Sequence, residues 1–179
     1  MRIISGIHKG RRIQAPKKLP VRPTTDMAKE ALFNIINNQY YFDEISVLDL
    51  FAGIGSISLE FASRGTTDVT CIDSDFGCVK FISEITERLD MPVNVIKSDV
   101  YKYLETCKRE FTIIFADPPY NFSDDLFSNI HKLVFDTNLL TNDGLLIIEH
   151  SKHTDLTKLK YFQNSKNYGG NSFSFFKQL

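Results

Sequence analysis

From Ser46 onward, short apolar runs alternate with segments whose apolar residues recur three or four positions apart. The runs are Val47-Leu48-Asp49-Leu50-Phe51, Val69-Thr70-Cys71-Ile72, Val93-Asn94-Val95-Ile96, Phe111-Thr112-Ile113-Ile114-Phe115 and Leu145-Leu146-Ile147-Ile148. Runs of this length that are apolar on both faces predict strands covered on both sides, and strands separated by helices pair in parallel. Val79, Ile82, Ile85, Thr86 and Leu89 mark one helix, and another follows Gly55 and stops at Arg64-Gly65, where glycine can take the left-handed C-terminal conformation. Ahead of the first strand, Pro23-Thr24-Thr25-Asp26 supplies a turn and capping groups for a helix carrying Met27, Ala31, Leu32, Ile35 and Ile36. Behind the fifth, Tyr168-Gly169-Gly170-Asn171 is a turn signal and Ser172-Phe173-Ser174-Phe175 alternates with period two, so residues 161–179 predict a closing antiparallel hairpin. In residues 1–22, Ile3, Ile4, Ile13 and Val21 are mixed with Gly6, Gly10, Pro16 and Pro20, which predicts short strands or a hairpin set as an appendage before a main domain over 23–179.

Composition narrows the class. A chain of 179 residues that is 42% hydrophobic suits one α/β domain. No apolar run reaches 18 residues and the start has no signal-peptide apolar region, so a soluble, cytoplasmic chain without a membrane segment is expected. Cys71, Cys78 and Cys107 are odd in number and form no C-x-x-C pair, and His8, His131 and His153 have no ligand spacing, so reduced thiols and no metal are expected. The net charge of −1 conceals an asymmetry. Residues 1–22 hold seven Lys/Arg and no acid, against fourteen basic and twenty-two acidic residues in the remainder. Arg2, Lys9, Arg11, Arg12 and Arg22 are therefore candidate contacts to a nucleic acid, the alternative being a solvated hairpin with no partner.

Ligands of open parallel sheets sit at the carboxyl ends of the strands, and here those ends are acidic: Asp49, Asp73, Asp99 and Asp117. Phe51-Ala52-Gly53-Ile54-Gly55 lets the backbone pass close beneath a ligand, and Asp73, eighteen residues past Gly55, is placed for a ribose diol. Ser58 stands where a dinucleotide fingerprint has its third glycine, and Asp49 would repel a pyrophosphate yet attract an ammonium group. Asp99, with Ser98 beside it, could meet an adenine amino group, although any one Asp could instead merely cap the next helix. Asp117-Pro118-Pro119-Tyr120 is the most specific signal. Consecutive prolines cannot continue a ladder or a helix, so their carbonyls are free acceptors. A base amine is a poor nucleophile because its lone pair is delocalised into the ring. Acceptors at Asp117 and the Pro118 carbonyl would hold its N–H bonds and favour the charge that develops, while Tyr120 stacks on the base. Glu149 and His150, at the fifth strand's end, could touch substrate, the alternative and commoner role of a lone His or Glu there being structural.

This turn resembles that of the class I methyltransferases of amino groups. Arg2-Ile3-Ile4-Ser5-Gly6, Gly10-Arg11-Arg12 and Arg22-Pro23-Thr24-Thr25-Asp26, leading to Glu30-Ala31-Leu32-Phe33-Asn34, further resemble the RsmD family of bacterial 16S ribosomal RNA guanine-N2 methyltransferases over nearly the full chain. The resemblance implies a Rossmann-like, mostly parallel seven-stranded sheet with an antiparallel last strand and a basic N-terminal extension. It implies S-adenosylmethionine as donor, Thr24, Thr25 and Asp26 beside its methionine half, and the arm with Arg22 on RNA phosphate. It further implies one guanine as target, nucleotide 966 in conventional numbering, in the small ribosomal subunit or an assembly intermediate, and a monomer is the expected state. Three rivals stay open at this point: adenine-N6 methylation of DNA or RNA, protein glutamine methylation, and a non-catalytic RNA-binding module. A nicotinamide oxidoreductase has no use for the Asp117 turn.

Overall fold

A computed structural model describes residues 1–16, 18, 19, 24–119 and 123–178. Tyr120 and Arg22 lie outside the described residues. The elements run α1 (Asp26–Asn37), β1 (Ser46–Leu50), α2 (Ser56–Ser63), β2 (Asp68–Asp73), α3 (Phe76–Arg88), β3 (Val93–Lys97), α4 (Val100–Thr106), β4 (Phe111–Ala116), α5 (Asp124–Asp136), β5 (Leu140–Ser151), β6 (Phe162–Tyr168) and β7 (Asn171–Phe176). They build a seven-stranded sheet in the order β3-β2-β1-β4-β5-β7-β6. Strands β1 to β5 pair in parallel, and β7 is antiparallel to both of its neighbours.

The pleat divides the strand residues between two cores. Val47, Val69, Ile113 and Ile147 join the cluster beneath α1, α2 and α3. Leu48, Leu50, Ile114 and Ile148 join the one beneath α4 and α5. Both faces are covered, which is why these strands read as continuous apolar runs. One strand differs from expectation. β5 starts at Leu140, five residues before the apolar run, because Leu140 pairs with Phe111 ahead of a register irregularity. β6 and β7 form the antiparallel hairpin expected over 161–179, with β6 as its exposed edge, since it has one neighbour and little to bury.

The N-terminal segment forms a hairpin with Arg2 paired to Arg12 and backbone bonds from Ile3 to Arg11 and from Gly10 to Ile3. It is packed on the body: Ile3 and Ile13 are buried in the α1–α3 cluster. Glu60, with no exposed surface, accepts from the Ile4 and Ser5 amides at 2.8 and 3.0 Å and from Arg64 at 2.8 Å. The buried Lys29 ammonium lies 3.6 Å from Glu60 and donates to the Arg2 carbonyl at 2.7 Å and to Ser56 Oγ at 3.2 Å. Burial pulls the Lys29 ammonium down from its ordinary range, against the opposing pull of Glu60 and Asp26. Gly6 makes the docking possible: its φ is +80°, and a Cβ there would fall 1.7 Å from the Ser63 carbonyl oxygen.

Candidate active site

The chain moves from β1 outward through β2 and β3, then returns to place β4 on the other side of β1. Such a reversal opens a crevice at the carboxyl ends of β1 and β4. A cleft of about 710 Å³ lies there. Its walls come from the glycine turn (Phe51 to Ile54), Ser56 and Ile57 of α2, Asp73 to Asp75, Cys78 of α3, Asp49, Phe115, Asp117, Pro118, Pro119, Thr24 and Leu19.

The turn after β1 is built on left-handed backbone. Phe51, Gly53 and Gly55 have φ of 61°, 55° and 75°. For Phe51 this is a strained conformation of the kind found at functional sites. Gly55 ends the turn as the residue before α2, and a Cβ on it would meet Ile82 at 3.0 Å. Gly55 has no side chain to cap α2, so Asp49 serves from the strand: its carboxylate accepts from the Ser58 amide at 3.1 Å and from Ser58 Oγ. Asp73 braces the same turn, accepting from the Gly53 amide at 2.7 Å and from the Asp75 amide at 2.8 Å. The Asp117 amide reaches the Leu50 carbonyl at 3.3 Å and so ties the proline turn to β1. Pro118 is buried and Pro119 exposed.

Among the described residues, charge in the cleft is one-sided. Asp49 is buried, and loss of water pushes its carboxyl up to about 7 against the pull of the Ser58 bonds, with Asp73 adding repulsion. Asp73 is raised as well, chiefly by burial. Asp117 is raised well above the carboxylate range, first by burial and then by Glu149 and Asp49. Glu149 is buried and accepts from Thr24 Oγ1 at 3.1 Å and Asn171 Nδ2 at 2.6 Å. A wall of carboxylates that resist ionisation suits a cationic ligand, which would let them ionise.

Of the residues singled out from the sequence, Thr24, Asp49, Phe51, Gly53, Asp73, Asp117, Pro118 and Pro119 come together on this cleft, with Gly55 directly behind it. The others have different partners. Thr25 Oγ1 caps α1 by accepting from the Ala28 amide, and Asp26 pairs with Arg2 at 3.0 Å in a separate hollow. Asp99 caps α4 through the Lys102 amide, Ser98 Oγ bonds the Asp99 carbonyl, and neither is in the cleft wall. Asp99 here serves as a helix cap, a role open to any lone Asp at a strand end. Leu19, Ile57, Cys78 and Phe115 also line the cleft, at apolar positions indistinguishable in sequence from core. Lys9, Arg11 and Arg12 are exposed on the hairpin, and among the described residues none has a carboxylate partner.

The sequence matches the family described as Conserved hypothetical protein 95 over residues 1–177. The Ribosomal RNA small subunit methyltransferase D of Buchnera aphidicola subsp. Baizongia pistaciae is 33% identical over 150 residues, covering 83% of this chain and 75% of that protein. A hypothetical protein of Thermus thermophilus superposes with a TM-score of 0.85 at 25% identity over 99% of both chains. The T. thermophilus 16S rRNA N2 G1207 methyltransferase (RsmC), solved with AdoMet and guanosine, has the same fold, with a TM-score of 0.72 at 20% identity over 90% of this chain and 45% of that one. By a match that spans almost every residue, joined to the identity with a named small-subunit methyltransferase D, the chain belongs to the Conserved hypothetical protein 95 family, the RsmD family.

Proposed function

We propose that the chain transfers a methyl group from S-adenosylmethionine to the N2 amine of one guanine in 16S ribosomal RNA, the family's nucleotide 966, within the small subunit or an assembly intermediate. The observation that carries the reading is the meeting of the Asp117-Pro118-Pro119 turn with Asp49 and the glycine turn on one cleft. The acidic wall fits a ligand bearing an ammonium and a sulfonium. S-adenosylmethionine, when bound, supplies a methyl group activated by positive sulfur. The chain's own residues do the rest. Asp49 and Asp73 favour a cation over the glycine turn. Asp117 and the Pro118 carbonyl accept the two amine N–H bonds and stabilise the charge that grows on nitrogen, and the rigid turn holds the amine in line. Asp117 need not be a strong base, because the methylated ammonium gives up its proton readily.

Transfer of labelled methyl to small subunits from a strain lacking the enzyme, followed by nucleoside analysis, tests this. N2-methylguanosine is the expected product, and N6-methyladenosine would redirect the reading to adenine methylation.

Asp49 gives donor binding a pH dependence. A carboxyl pushed up to about 7 is mostly neutral at pH 6 and mostly ionised at pH 8. A cation favours the ionised form, so affinity is expected to rise about tenfold across that interval, with proton release at its lower end. Calorimetry in buffers of different ionisation heat measures both, and a flat profile would remove Asp49 from the donor site.

The hairpin is the RNA-facing element in this reading, through Arg2, Lys9, Arg11 and Arg12, with Arg22 following in sequence. Replacing both Arg11 and Arg12 with Ala is expected to weaken RNA binding and reduce the salt slope, d log K/d log[salt], by about 1.5 in magnitude. Both side chains are exposed, so stability should change by less than about 0.5 kcal/mol. Titration of RNA at several salt concentrations reads the slope.

A further inference from the structure

Glu149 has no part in the chemistry derived above, yet it is only 1% exposed and bonded across long distances in sequence. One carboxylate oxygen accepts from Thr24 Oγ1, 125 residues away, at 3.1 Å, and the other accepts from Asn171 Nδ2 at 2.6 Å. Thr24 stands in the cleft wall directly before Thr25, the residue that caps α1. Asn171 opens β7. Residue 149 follows Ile148, the partner of Ala116, so it sits on the strand beside the one from which the Asp117 turn departs. A single side chain thus joins the lead into α1, the end of β5 and the start of β7 at the rim of the cleft. Bulk alone does not account for it, because a leucine would fill the space without the loss of hydration that a buried carboxylate suffers.

We propose that Glu149 is a positioning residue of the donor site: a clasp that holds Thr24 in the cleft wall, with Asn171 anchoring its second oxygen. The clasp rests on the methyl-transfer reading, because its effect is on the affinity for S-adenosylmethionine. Thr24→Val keeps the shape and removes the hydroxyl, whereas Thr24→Ser keeps the hydroxyl and the bond.

The test is calorimetric titration of S-adenosylmethionine into wild type, Thr24→Val, Thr24→Ser, Glu149→Leu and the double variant Thr24→Val/Glu149→Leu, well below the melting transition. Thr24→Val is expected to raise Kd about tenfold, as for loss of a hydrogen bond to a charged group. Thr24→Ser should stay within about threefold of wild type. Glu149→Leu should weaken binding at least as much as Thr24→Val, and the double variant should add less than about twofold to Glu149→Leu, because both changes remove the same bond. A residue that only stabilised the fold would lower the melting temperature and leave Kd unmoved. If Glu149→Leu does not fold, the Val and Ser variants decide alone. Unchanged affinity in Thr24→Val, or losses that multiply in the double variant, would overturn the clasp. Wild type that binds no donor would instead overturn the methyl-transfer reading.

Discussion

Replacing Asp117 with Ala is expected to lower kcat by about 10² to 10³, the loss typical of removing one preorganised group that stabilises developing charge. Donor affinity should stay within several-fold, since the glycine turn, Asp49 and Asp73 remain. The same change should raise the melting temperature. Asp117 holds its proton more tightly in the folded chain than in the unfolded one, first through burial and then through Glu149 and Asp49. The folded state therefore binds more protons, and Asp117 draws stability down as pH rises above the ordinary carboxylate range. Removing the group lifts that penalty at neutral and alkaline pH and does nothing in acid, where both states are protonated. Single-turnover methyl transfer and melting curves in acid and mildly alkaline buffer check both halves. Full methyl transfer by Asp117→Ala would remove Asp117 from the chemistry, and absence of transfer by wild type would favour a binding module over an enzyme.

Glu60→Leu should destabilise the fold by about 3 to 5 kcal/mol, because it strands a buried ammonium. Lys29 and Glu60 are 1% and 0% exposed, and the other bonds from Lys29, to the Arg2 carbonyl and Ser56, offer no opposing charge. The Ile4 and Ser5 amides lose their acceptor in the same stroke, so the hairpin loosens from α2. Adding Lys29→Met to Glu60→Leu should recover part of the loss, since two apolar residues replace an ion left with only the longer-range pull of Asp26. Urea unfolding of the three variants gives the coupling, and a loss below about 1 kcal/mol for Glu60→Leu would mean that the ion pair is not what holds the hairpin.

Much of the fold could be read along the chain because its periodicities are local. The Asp49, Asp73 and Asp117 strand ends and the glycine turn fall on one rim by the rule that parallel strands present their carboxyl ends together, and they do line one cleft. Asp99 obeys the same rule yet turns to cap α4, since a carboxylate at a strand end has two uses and sequence position does not choose between them. The closing hairpin was legible from its glycine turn and the alternation of β7, and it forms as β6 and β7. Leu19, Ile57 and Cys78 escaped because a cleft wall and a core both call for apolar residues.

By itself, the order of residues determined the alternation of strands and helices, the glycine turn, the proline turn and the concentration of positive charge in the first 22 residues. Each depends on neighbours within a few positions, through backbone sterics, side-chain spacing or composition. Only the tertiary structure decided that Glu60 and Lys29 dock the hairpin, that Glu149 reaches Thr24 and Asn171, and that Asp49 caps α2 while its carboxyl rises to about 7. Burial and partnership across up to 125 residues set those properties, and the free energy of a charged group depends on the water it has lost and the donors it has met, neither of which is a local quantity.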